Sequence, residues 1–208
     1  DTTFAIIAFY ETSEGEIAFL DYNGGTIQQL VPNQPPDTSA TFPRTLSATG
    51  LFRSIKDHQP ASGVIPFSIN ARSWSDGVHK EWLLAIPGNK KIEFDGTTYP
   101  DPEVPPGWKF PNGTVLVETI SMEMVKGDPA SRRRLETRIL HYEKLDGTEE
   151  VGDQLWRGYT YIWNDDQSDA VLLEDPLGKD MALSLQDPAA PGGMRTQIWH
   201  FPGRAECT

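Results

Sequence analysis

Proline and glycine set the strongest limit on how this chain folds. Seventeen prolines and eighteen glycines are spread along most of its 208 residues. Each interior proline removes a helical hydrogen bond, and glycine weakens a helix entropically. Long helices are therefore disfavoured, and short strands joined by turns remain. Trp108–Ile120 shows the pattern. Pro111-Asn112-Gly113 is turn chemistry, and Val115, Val117 and Thr119 alternate with Leu116, Glu118 and Ile120 in a β-branched run. The expected class is all-β: an antiparallel β-sandwich, jelly-roll-like, preceded by an N-terminal β-meander.

Phe4–Tyr10, Glu16–Tyr22 and Thr26–Val31 are β-prone runs separated by Ser13-Glu14-Gly15 and Asn23-Gly24-Gly25. They predict a three-stranded meander over residues 1–32, too small to be stable without further packing. Asn33–Pro43 is a Pro/Ser/Thr-rich connector spanning residues 33–43, and residues 44–208 form the main module. At its start Ser47 is placed to cap a short helix carrying Leu51 and Phe52. Strands are expected over Val78–Ile86, Arg132–Tyr142, Leu155–Trp163 and Thr196–Phe201, with a hairpin around Asp95-Gly96. A helix over Ser131–Tyr142 is the alternative that β-branched residues and the Asp146-Gly147 turn argue against. Strict alternation there places Leu135, Thr137, Ile139 and His141 on one face and Arg134, Glu136, Arg138, Leu140 and Tyr142 on the other. That arrangement predicts an ion-pair ladder with Glu136 flanked by Arg134 and Arg138.

A net charge of −12 and a pI near 4.7 repel a phosphate backbone, and Arg132-Arg133-Arg134 is too small a basic cluster to offset this. Nucleic acid is excluded as a partner on these grounds. No apolar run approaches the ~18 residues of a transmembrane helix. A chain starting at Asp1 without a basic, then apolar, leader is expected to be a mature or trimmed form. Cys207 stands alone, so no internal disulfide forms.

Two resemblances follow from particular segments. Gly15-Glu16-Ile17-Ala18-Phe19-Leu20-Asp21-Tyr22, Gly24-Gly25-Thr26-Ile27 and Leu30-Val31-Pro32-Asn33 resemble the closing blade of the β-propellers of glucose/sorbosone dehydrogenase-type quinoproteins. None of that family's quinone-binding, calcium-binding or catalytic residues is present. A wider set is similar to a module of large exported proteins of environmental bacteria, notably planctomycetes. It comprises Leu46–Phe52, Asn70–Trp82 with Trp74-Ser75-Asp76-Gly77, Trp108–Val115, Arg134–Arg138 and Gly158–Asn164. There the module lies between a propeller and a c-type cytochrome domain. The resemblance thus implies export to periplasm or exterior and flanking domains as partners. Haem c or quinone would belong to those flanking domains, with no cofactor in this chain. Phe201–Thr208 resembles the run into a haem attachment motif, with Cys207 as its first cysteine; no second cysteine or following histidine is present.

Aromatic side chains are the main candidates for a site. Trp74, Trp82, Trp108, Phe110 and Trp163 are placed to stack on sugar rings, and core anchoring explains the same residues equally well. His58, His79, His141 and His200 show no metal-ligand spacing. Asn164–Asp169 is oxygen-rich, but it lacks the glycine and closing glutamate of a calcium loop and reads as a solvated turn. Glu118, Glu136 and Asp76 would have to converge across strands to make a glycosidase pair, and neither Ser62-Gly63 nor Ser75-Asp76-Gly77 is a nucleophile elbow. The functional expectation is a non-catalytic β-sandwich module of an exported multidomain redox protein. The alternatives are a carbohydrate-binding module or a polysaccharide-acting enzyme domain.

Overall fold

The computed structural model describes residues 5–30, 42–71, 74–95, 107–143 and 156–206. Most of the Pro-rich connector lies outside them, as does Cys207. The chain divides into two compact units, Asp1–Phe42 and Pro43–Thr208. It is all-β and antiparallel, and among the described residues it holds no α-helix.

In the first unit β1 (Ile6–Glu11), β2 (Ile17–Asp21) and β3 (Thr26–Gln29) pair in chain order as a meander. Asp21 organises its second turn. One carboxylate oxygen accepts from the Ala5 and Asn23 amides and the other from Gly24. A side chain at Gly24 would collide with that carboxylate.

The second unit opens with a 3-10 turn at Ser47–Thr49, not the expected helix. Gly50, at φ +72°, ends the turn at once, and the Ser47 hydroxyl bonds Asp169 across the fold and caps nothing. There follow β4 (Phe52–Ser54), β5 (Gln59–Pro60), β6 (Val64–Phe67), β7 (His79–Ala85), β8 (Glu93–Asp95) and β9 (Gly107–Lys109). The remaining strands are β10 (Val115–Glu123), β11 (Arg132–Tyr142), β12 (Trp156–Trp163), β13 (Ala170–Leu172), β14 (Lys179–Gln186) and β15 (Met194–Phe201). Six of them make the main sheet, in the order β13-β12-β11-β10-β7-β6. Apart from the inserted β8–β9 hairpin, sheet neighbours are chain neighbours. The turn that feeds β10 is the one expected: Gly113 sits at φ +87°, and the Thr114 amide and hydroxyl both donate to the Pro111 carbonyl.

The two faces of the sheet are covered differently. On one, Leu46, Leu51, Phe52 and Ile55 pack on Leu83, Val117, Ile139, Tyr161, Trp163 and Ala170. On the other, Leu183 and Leu185 of β14 with Trp199 and Phe201 of β15 cover Ile120, Met122 and Leu135, and this hairpin is the second layer of the sandwich. A bulge lets both faces use β11. Ile120 pairs with Glu136 but Ser121 with Arg134, so Leu135 is the extra residue and turns into the hairpin-side core. Arg134 passes to the opposite face, where its guanidinium lies 4.8 Å from the Trp163 ring centre. The predicted three-residue ladder is thereby corrected: among the described residues Glu136 forms its ion pair with Arg138, at 2.7 Å, and not with Arg134.

A buried polar chain crosses the first core. Trp163 Nε1–H donates to Thr137 Oγ1 at 3.0 Å, Thr137 and Thr119 hydroxyls meet at 2.9 Å, and Thr119 Oγ1 lies 2.9 Å from His58 Nε2. An indole can only donate, so if each buried hydroxyl hydrogen is to have an acceptor within the chain, Thr137 donates to Thr119 and Thr119 to His58. This requires a neutral ring with Nε2 unprotonated. Burial, the largest cause, holds the His58 pKa below its usual value, and the Glu81 carboxylate 3.7 Å from Nδ1 opposes that shift.

Candidate functional site

The β14–β15 hairpin covers only part of its face of the main sheet. Beyond its edge the alternation of β10 continues with Glu118 and Leu116. The register brings Trp82 of β7 and Arg138 of β11 to either side of Glu118, and Leu140 opposite Leu116. Leu140 in turn faces Gly158 of β12. A glycine there projects no side chain, so the sheet surface is left hollow and Leu140 stays 37% exposed. The result is a cleft of about 700 Å³. Phe67, Trp82, Phe110, Trp156 and Tyr159 are its aromatic lining, Leu116 and Leu140 are its aliphatic floor, and Pro202 and Glu206 of the C-terminal segment belong to its wall.

The aromatic groups are held in place. Trp156 lies between Phe110, edge-on with ring centres 5.1 Å apart, and Tyr142 at 5.0 Å. Trp82 donates its indole N–H to Glu118 Oε1 at 3.2 Å, and Lys80 Nζ reaches the same oxygen at 3.0 Å. Arg138, also in the cleft, is anchored from behind. Its Nη2 donates to Glu136 Oε1, which also accepts the Trp199 indole N–H at 3.1 Å. Glu136 is fully buried, and its Oε2 has no hydrogen-bond partner among the described residues. Burial raises its pKa and the neighbouring Glu118 charge adds to this, while the bonds from Arg138 and Trp199 work against it.

The sequence candidates separate into four places. Trp82 and Phe110 meet in the cleft. Trp74, 82% exposed, stands over a separate hollow of about 250 Å³ with Asp76, Lys126, Asp187 and Arg195. Trp108, 65% exposed, packs against Phe94 in the β8–β9 hairpin, with the rings tilted at 48° and their centres 4.9 Å apart. Trp163 is only 6% exposed; it is a core anchor and offers no platform. Trp156, Phe67 and Arg138 of the cleft were not among the candidates. The available signal was Gly158, set between Trp156 and Thr160 on the face of β12 opposite Tyr159, Tyr161 and Trp163.

The carboxylates do not form a facing pair from Glu118 and Glu136, because Glu136 lies behind Arg138 and does not line the cleft; Asp76 is at the other hollow. Within Asn164–Asp169 each carboxylate is engaged by the protein: Asp165 by Arg133, Asp166 by Ser168 and Asp169 by Ser47. Among the described residues no three His, Cys, Asp or Glu side chains converge to hold a metal, and no helix is long and apolar enough to cross a membrane.

No protein-family model, curated protein or solved structure matches this chain.

Proposed function

We propose that residues 43–206 are a non-catalytic β-sandwich binding module that takes a saccharide in the aromatic cleft. One observation carries the reading: five aromatic residues and the charged groups Glu118, Arg138 and Glu206 line one hollow over the main sheet. Aromatic faces stack on the C–H faces of sugar rings, and fixed charged groups hydrogen-bond the hydroxyls. Glu118 and Arg138 are each tied to a neighbour, which suits them to positioning a ligand and not to proton transfer. Membership of a larger exported redox protein, with haem c or quinone in flanking domains, is supported by the sequence resemblances alone.

The test is affinity electrophoresis against a panel of soluble polysaccharides. Trp82→Ala and Trp156→Ala should each weaken the retained interaction about three- to tenfold, the scale of one ring contact. Trp74→Ala and Trp108→Ala should leave it unchanged. A folded protein that binds an apolar dye in the cleft but is retarded by no polysaccharide refutes the saccharide reading.

A further inference from the structure

The C-terminal segment 202–206 is bound to the sandwich by a compact set of contacts. β13 pairs with β12 from Tyr161 to Trp163, Leu173 N–H bonds the Thr160 carbonyl beyond that, and the segment meets β12 at Tyr159 and Thr160. Thr160 Oγ1 donates to the Pro202 carbonyl at 2.8 Å, the Ala205 amide donates to the Pro176 carbonyl at 3.1 Å, and the Arg204 guanidinium lies 4.9 Å from the Tyr159 ring centre. A side chain at Gly203 would collide with the backbone of Pro176 and Gly178. One at Gly178 would meet the Phe201 carbonyl, His200 and Glu206. Both glycines are where two stretches of backbone pass too closely for a Cβ.

At the centre of these contacts is His200. Its Nδ1 lies 2.7 Å from Asp180 Oδ1 and its Nε2 2.9 Å from Glu206 Oε2, and that same oxygen accepts the Gly203 amide at 2.8 Å. Among the described residues, Asp180 on β14 and Glu206 in the segment are the charged groups that face the ring. An imidazolium donates from both nitrogens and satisfies both carboxylates. A neutral ring donates from one and turns a lone pair toward the other.

We propose that residues 202–206 are a latched wall of the cleft, with His200 as the latch and Glu206 as the catch, so that deprotonating His200 releases the wall and weakens ligand binding. The regulatory half rests on the saccharide reading above, because Pro202 and Glu206 line that cleft; the latch itself does not. The Glu206 bond is the one given up, since its Oε2 keeps the Gly203 amide while Asp180 holds the shorter contact. Hydrogen bonds first from Glu206 and then from Asp180 hold the His200 pKa above 6.5, and the latch therefore opens on the alkaline side of that value.

The experiment is NMR on the full chain in two arms. In the first, without ligand, the His200 ring is titrated, and exchange protection of the Ala205 amide, whose acceptor Pro176 lies outside the segment, is followed from pH 6 to 9 after correction for intrinsic exchange. Protection is expected to fall as His200 loses its proton, and Glu206→Gln should bring the His200 midpoint down and remove the step. Unchanged protection across a complete His200 titration overturns the latch. In the second arm cellohexaose and each polysaccharide retained in the panel are titrated at pH 6 and pH 8.5. Affinity is expected to drop about two- to fivefold at the higher pH in wild type, the scale of one exposed charge-assisted contact, and to be level in His200→Gln. Equal affinities at the two pH values overturn the regulation. A latch that opens in a chain that binds no saccharide refutes the binding reading and the regulation together, and the latch alone stands.

Discussion

Thr137→Val keeps the shape of a buried side chain and deletes the hydroxyl at the middle of the polar chain. Thr137 is fully buried, as is Thr119 beside it. In the variant the Trp163 indole N–H loses its acceptor, and leaving a buried donor unpaired costs about 1–3 kcal/mol. The lost Thr137–Thr119 bond adds about 1 kcal/mol, while Thr119 still donates to His58. The expected destabilisation is therefore about 2–4 kcal/mol. Thr137→Ser makes the opposite deletion, losing a methyl and keeping the oxygen, and should cost about 1 kcal/mol. Urea unfolding at pH 7 reads both from the midpoints at constant m. If valine is tolerated as well as threonine, or if serine costs more than valine, the hydrogen-bond chain does not hold the core as described.

Three further outcomes follow from the same structure. His58 is buried neutral, with its pKa below that of the unfolded chain. Its contribution to stability is present above pH 6.5 and is lost as pH falls toward the folded value. Thr119→Val removes the bond donated to Nε2 and should raise the His58 midpoint in an NMR titration. Glu136 has the opposite sign: burial raises its folded pKa above 4.5, so its contribution is present below that value and is lost as pH rises through the folded pKa. Glu136→Gln should therefore gain in urea midpoint relative to wild type between pH 4 and pH 8, and a constant difference would contradict this. Gly203→Ala places a Cβ against backbone of Pro176 and Gly178, so the segment must shift; it should cost about 1–3 kcal/mol and abolish the amide protection of residue 205.

Local chemistry was enough to read the strand-rich class and the turn at Pro111-Asn112-Gly113, because proline, glycine and period-two alternation act over a few residues. It misled at β11, where one extra residue at Leu135 moves Arg134 across the sheet. A bulge is set by the partner strand and leaves no local mark. Ser47 has the chemistry of a cap, but Gly50 ends the turn and Asp169, far along the chain, takes the hydroxyl. Trp163 alternates with Tyr159 and Tyr161 as a platform residue would, yet segment 44–60 covers that face and makes it core. The cleft exists because the hairpin is too narrow to cover the sheet and Gly158 sits opposite Leu140, and neither fact is visible before the register is known. The His200 latch joins residues 20 and 6 positions apart whose contact depends on the β14–β15 pairing.

The six tryptophans test the central claim in one spectrum. In a titration with a retained oligosaccharide, the indole N–H signals of Trp82 and Trp156 should shift together and saturate at one affinity, while those of Trp74, Trp108, Trp163 and Trp199 stay in place. Movement of Trp74 or Trp108 with Trp82 and Trp156 unmoved would place the ligand elsewhere and contradict the account.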